Sequence, residues 1–123
     1  MSHSERVMVL GASDNPSRYS NMAIDFLLQK GHEPVPVHPF HPEIMGIPVV
    51  RSLEFITGAI DTLTLYVSPE HLSPLVDSVI ALKPRRVIAN PGAESEEMRL
   101  AAEEHGIQYL EACTLVMLST GQF

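Results

Sequence analysis

Apolar positions along the chain follow two spacings, and the spacing changes at residues that favour turns. Arg6-Val-Met-Val-Leu10 is a short apolar run closed by Gly11, the pattern of a strand buried on both faces. From about Asn21 to Lys30 the repeat lengthens to four. Met22/Phe26, Ala23/Leu27 and Ile24/Leu28 then share a helix side, and Gly31 is placed to end it. Glu33 to Val37 predicts a second strand. Its Pro34 and Pro36 remove ladder donors on one side, which suits a strand start or an irregular edge. His38 to Pro48 is a proline-rich connection, and Val49-Val50 is at most a fragment of strand. Ser52 is placed to cap a short helical turn over Leu53 to Ile56.

The second half repeats the alternation. Asp61 to Val67 predicts a strand, with Leu63, Leu65 and Val67 alternating with Thr62, Thr64 and Tyr66. Ser68-Pro69-Glu70 supplies a cap, an N1 proline and an early acid, and Leu72, Leu75, Val76 and Val79 continue as one helical stripe that ends before Pro84. Arg86 to Ala89 predicts a strand and Asn90-Pro-Gly92 a turn. Ser95 caps a helix with Met98 at its third position; the helix runs to about His105, with Gly106 beyond it. Ile107 to Glu111 is the last clear strand, and Thr114 to Leu118 fits either a further helical turn or a strand. The order β-α-β-(short)-β-α-β-α-β implies right-handed crossovers and a parallel sheet. The predicted fold is α/β: a single Rossmann-like domain over residues 1–123, with a mainly parallel sheet of about five strands and helices on both faces.

Composition narrows the function classes. At 123 residues and 45% hydrophobic, the chain suits one globular domain. A single cysteine, Cys113, permits no internal disulfide and points to a cytoplasmic protein. Met1 to Arg6 is polar and Val7 to Leu10 is too short for an export signal; no run approaches a membrane span. The net charge of -7 argues against general nucleic-acid binding and requires any anionic ligand to find local attraction.

Ligands of open α/β sheets sit beyond the carboxyl ends of the strands. Four strand ends run into small, polar or turn residues: Gly11-Ala-Ser13, His38-Pro39, Ser68-Pro69 and Asn90-Pro-Gly92; the fifth ends near Cys113. The first is the most informative. Gly11 permits a sharp exit from the strand, and the backbone amides of residues 12–15 together with the following helix start are expected to face a diphosphate. Ser13, Asn15, Ser17 and Ser20 add donors, and Arg18 is the only fixed positive charge of the loop. A dinucleotide fingerprint would place glycine at positions 13 and 16 and an acid after the second strand. Ser13, Pro16 and His38 stand there instead, which weighs against NAD and FAD.

The run V-x-V-x-G-A-S-x-N-P at Val7 to Pro16, the segment Gly31-His-Glu-Pro-Val-Pro-Val-His-Pro39 and Glu43-Ile-Met-Gly46 together resemble the stand-alone CoA-binding domain family. That family is similar to the N-terminal domain of the succinyl-CoA synthetase α subunit. Asp61 to Glu70 and Asn90-Pro-Gly92 with Glu94 fit the same pattern. The resemblance implies binding of CoA or an acyl-CoA. It implies a phosphate loop at Gly11, Ala12, Ser13, Asn15, Arg18 and Tyr19, and nucleotide contacts at His38, Pro39, Val67, Ser68 and Pro69. Asn90, Pro91 and Gly92 would line the path of the pantetheine arm. Two departures stand out. His38-Pro39 replaces the usual Asn-Pro, followed by Phe40 where a lysine is often found, which weakens a salt link to the 3′-phosphate of CoA. Cys113-Thr114 replaces a common Cys-Pro.

Other chemistry has thinner support. His38 and His41 are too few for a metal site without further ligands. Cys113 suits a small buried hydrophobe better than a redox partner of a CoA thiol. Ser13, Ser68 and Ser95 have cap or turn roles, Glu94 to Glu97 complements a helix dipole, and His71 and His105 are expected on exposed helix faces. No catalytic residue and no metal is assigned. The alternatives are an enzyme or redox-linked protein acting on CoA or a nucleotide, and an accessory module of a split acyl-CoA synthetase.

Overall fold

Strand β1, Arg6–Leu10, is buried from Val7 onward, as an apolar run without alternation requires. It lies in a computed structural model that describes residues 4–123; the polar opening Met1 to His3 lies outside the described residues. Helix α1 (Tyr19–Gln29), β2 (Glu33–Val37), β3 (Glu43–Ile44) and β4 (Ile47–Pro48) follow. Then come β5 (Thr62–Leu65), α2 (Pro69–Leu72), α3 (Val76–Leu82), β6 (Arg86–Ala89), α4 (Glu96–Glu104), β7 (Gln108–Glu111) and α5 (Thr114–Ser119). A 3₁₀ turn over Leu53–Phe55 precedes β5.

The main sheet is parallel throughout, in the order β2-β1-β5-β6-β7. This doubly wound order reverses direction between β1 and β5, and that reversal opens a crevice at their carboxyl ends. Alternate residues divide the core. Val7 and Val9 pack with Ile24 and Leu27 of α1 and Leu118 of α5; Met8, Leu10, Leu63 and Leu65 pack with Leu72, Val76, Val79 and Met98 on the other face. Each such fully buried side chain contributes roughly 1.5–3 kcal/mol. The apolar stretch Thr114 to Leu118 is therefore a helix, with Leu118 2% exposed against α1.

Three expectations are revised. The proline-rich connection contains the hairpin β3–β4, whose two-residue turn has positive φ at Met45 (53°) and Gly46 (75°). The stripe from Pro69 to Leu82 is not one helix. Pro74 lacks an N–H and crowds the preceding turn, so α2 stops at Leu72, Ser73–Leu75 tightens to 3₁₀, and α3 begins anew. Ser68 precedes α2 and Ser52 precedes the 3₁₀ turn, but neither side chain makes a cap bond to the backbone that follows. By contrast Ser95 does cap α4, accepting from the Met98 amide at 3.0 Å.

Both ends of the sheet carry polar anchors. At the amino ends, Glu5 (8% exposed) accepts from Thr62 Oγ1 at 2.5 Å and from Arg86 Nη2 at 3.3 Å. Arg86 also donates to the Phe123 carbonyl at 3.0 Å and lies 4.4 Å over its ring. At the carboxyl ends, buried Asn90 donates to Thr64 Oγ1 at 2.7 Å and to the Leu65 carbonyl at 2.8 Å. Its Oδ1 accepts the Thr114 amide at 2.9 Å, so one side chain ties β5, β6 and α5 together. Asn90→Ala leaves these buried groups unpaired, and the expected loss is about 2–4 kcal/mol in urea denaturation. A loss below about 0.5 kcal/mol would show that the amide is not a structural tie.

Candidate functional site

Gly11 is the first residue beyond β1, and its neighbours explain why it carries no side chain. Its φ is +88°, and a Cβ would lie 2.9 Å from Val67 Cγ1 and 3.0 Å from the Tyr66 carbonyl carbon and oxygen. The chain can leave β1 this close to the end of β5 only without a side chain. The loop that follows is built by its own polar groups. Asn15 Oδ1 accepts from the Ser17 amide at 3.0 Å and from its hydroxyl at 2.8 Å, and Asn21 Nδ2 donates to the Ser13 carbonyl at 2.8 Å.

The loop delivers the chain into α1 with its amino end open. Arg18 occupies the cap position without a side-chain cap bond, and the first turn holds no acid. The amides of Asn21 and Met22 both turn back to the Arg18 carbonyl. Those of Tyr19 and Ser20 meet no acceptor among the described residues. Free N–H groups and an uncompensated dipole favour negative charge at this end. The expected contribution of loop amides is smaller than the sequence suggested. Ala12 donates to the Val37 carbonyl at 3.2 Å and Asn15 to Ser13 Oγ at 3.1 Å, so neither is available.

Around this point lies a cleft of about 910 Å³ at the carboxyl ends of β1, β2 and β5. It brings together Gly11, Ala12 and Ser13 with Arg18 and Tyr19. His38 and Pro39 enter from β2, Val67 and Ser68 from β5, and Pro91 from β6. Four predicted residues do not line it. Asn15 shapes the loop, Pro69 starts α2, and Asn90 is 2% exposed with its side chain committed to the sheet. Gly92 donates its amide to Glu94 Oε1 at 2.9 Å. A smaller hollow of about 440 Å³ beside α1 is lined by Asp14, Asp25 and Glu43 and would repel an anion.

Several lining residues were not anticipated. Arg51, Ser52 and Leu53 reach the cleft because Val50 forms a parallel bridge with Val37, bonding the His38 amide (3.0 Å) and the Pro36 carbonyl (2.9 Å). An isolated one-rung bridge leaves no periodic signal. His71 also lines the cleft, its Nδ1 2.7 Å from Ser68 Oγ; the serine three residues before it was the available clue. His38 is held below its ordinary pKa by desolvation and by neighbouring His41, with Asp14 acting in opposition. Its Nδ1 accepts the amides of Phe40 (3.1 Å) and His41 (3.4 Å), which assigns the proton to Nε2. His38 and His41 stack at 4.2 Å rather than converge on a common ion, and no group of three metal-ligating side chains occurs among the described residues. Cys113 sits half-buried at the start of α5 and does not line the cleft.

The model of the CoA binding domain family matches residues 5–119. The chain belongs to this family. A chain of known structure, described as an uncharacterized protein, superposes on this CoA binding domain with a TM-score of 0.92 at 38% identity, covering 98% of this chain and 99% of that one. The cell-free ID.343 protein of Thermus thermophilus gives 0.87 at 30% identity, covering 97% and 90%. The uncharacterized protein YneT of Bacillus subtilis (strain 168) is 30% identical over 106 residues, 86% of this CoA binding domain and 78% of YneT. The family supports CoA binding in general.

Tyr66, at the cleft wall, is the one buried side chain whose polar atom lacks a partner among the described residues. Burial pushes its pKa up to about 12, and the nearby Thr64 and Thr114 hydroxyls, bonded to each other at 2.8 Å, offset this only in part. The folded state then holds the phenolic proton more tightly than the unfolded state, whose ordinary value is about 10. Stability should fall as pH rises from about 10 to about 12. Tyr66→Phe should flatten that fall and leave neutral-pH stability equal or higher. Chemical denaturation at pH 7 and across the alkaline range measures both, and a Tyr66→Phe variant destabilised by more than about 1 kcal/mol would contradict the reading.

Proposed function

We propose that the cleft binds CoA or an acyl-CoA and that the chain carries out no chemistry of its own on it. The observation that carries the reading is the open start of α1 at the β1/β5 reversal, with Arg18 beside it, in a protein of net charge -7. A diphosphate placed there meets two free amides, a helix dipole and a guanidinium. The residues from His38 to Pro39 and from Val67 to Ser68 would hold the nucleotide, with Pro91 toward the pantetheine arm. His38 supplies an N–H donor where NAD sites offer a carboxylate to ribose hydroxyls, which disfavours NAD.

One observation favours a second reading, in which the protein acts on its ligand. Ser68 Oγ and His71 Nδ1 are paired at 2.7 Å on the cleft wall, the contact a serine nucleophile needs with its base. No carboxylate bonds His71 among the described residues, which leaves the pair without an orienting partner. Release of free thiol from acetyl-CoA by the wild type, abolished by Ser68→Ala, would establish this reading over the first.

Calorimetric titration with CoA, acetyl-CoA, NAD and ATP tests the binding reading directly. CoA and acetyl-CoA should bind, and tight NAD binding without CoA binding would overturn it. Arg18→Ala should weaken CoA by about 1–3 kcal/mol, as loss of a charge-assisted phosphate contact does. Unchanged affinity would remove Arg18 from the site.

A further inference from the structure

The arginines divide into two groups. Arg6 meets Glu33 at 3.1 Å, Arg85 meets Asp61 at 3.5 Å, Arg86 meets Glu5 at 3.3 Å, and Arg99 meets Glu96 at 2.6 Å. The remaining two, Arg18 and Arg51, meet no carboxylate among the described residues, and both line the same cleft. Unpaired guanidinium groups facing one cavity repel each other unless an anion lies between or beside them.

The two arrive from different elements. Arg18 stands at the start of α1. Arg51 is one residue past the Val37–Val50 bridge, so its backbone runs beside His38 at the end of β2, and buried Leu53 anchors the chain just beyond it. In a doubly wound nucleotide site the start of the first helix takes the diphosphate, whereas the end of the second strand reads the ribose. An acid there selects free hydroxyls, and an arginine accommodates a phosphate on the sugar. Here that position has no acid, but an imidazole N–H donor and an unpaired arginine.

We infer that Arg51 is a specificity-determining residue, which together with His38 receives a phosphate on the ribose and so selects 3′-phosphorylated CoA over 3′-dephospho-CoA. The inference rests on the CoA reading above and adds a second anionic subsite, distinct from the diphosphate seat at Arg18. Its planar fork matches a phosphate in two-point contact, which a lysine or glutamine at the same place cannot reproduce.

Titration of the intact protein with CoA and with 3′-dephospho-CoA tests it. The wild type should prefer CoA by about tenfold or more, within the range of a charge-assisted hydrogen bond. Arg51→Gln should lose most of that preference by weakening CoA while leaving 3′-dephospho-CoA unchanged. Arg18→Ala should weaken both ligands alike and keep the preference. Equal affinity of the wild type for the two ligands, or an Arg51→Gln protein that weakens both equally, overturns the role of Arg51 and leaves CoA binding standing. Failure of both ligands to bind the wild type overturns the CoA reading and this inference with it.

Discussion

The closeness of two strand ends controls the rest of the molecule. The chain leaves β1 at Gly11 with a left-handed turn that brings its backbone against Tyr66 and Val67, just beyond β5. Any side chain at Gly11 would collide there, so the first loop would have to lift away from the sheet. With the loop held down, α1 begins directly above the reversal of strand order, and its first residues, Tyr19 and Ser20, line the cleft. The position of the cleft thus follows from a packing contact and from the hand of the crossovers.

The two ends of the sheet differ in character. At the amino ends charges are paired and closed: Glu5, Thr62 and Arg86 satisfy one another, and Phe123 covers the guanidinium. At the carboxyl ends Asn90 satisfies the backbone in the same economical way, but beside it the cleft keeps a neutral histidine and two arginines that meet no carboxylate among the described residues. The polar groups of the first kind stabilise the fold. Those of the second kind make no such contribution and leave a locally positive field at the cleft.

Much of this was legible in the sequence, and the reasons differ by element. The strands and α1 declared themselves through apolar runs and four-residue repeats, because burial on both faces of a parallel sheet leaves no other pattern. The break between α2 and α3 was written in Pro74, yet the apolar stripe on either side masked it. Asn90 looked like a turn residue facing a ligand, since sequence cannot tell an exposed amide from one that pairs three elements. Arg51 was invisible because the Val50 bridge that carries it to the cleft joins segments with no local signature. Ser68 and His71 lie three apart, but their contact depends on a rotamer choice rather than on spacing alone.

The missing cap of α1 has a thermodynamic consequence. A helix can complete its first turn with a residue of its own, as α4 does with Ser95; α1, α2, α3 and α5 have no such side-chain bond. On the proposed reading, a bound diphosphate would complete the first turn of α1 at Tyr19 and Ser20, and occupancy and folding would be linked equilibria. A ligand that binds only the native state adds its own binding free energy to the fold, about 2.7 kcal/mol when present at a hundred times its dissociation constant. On that reading the melting temperature would be a property of the surroundings as much as of the sequence.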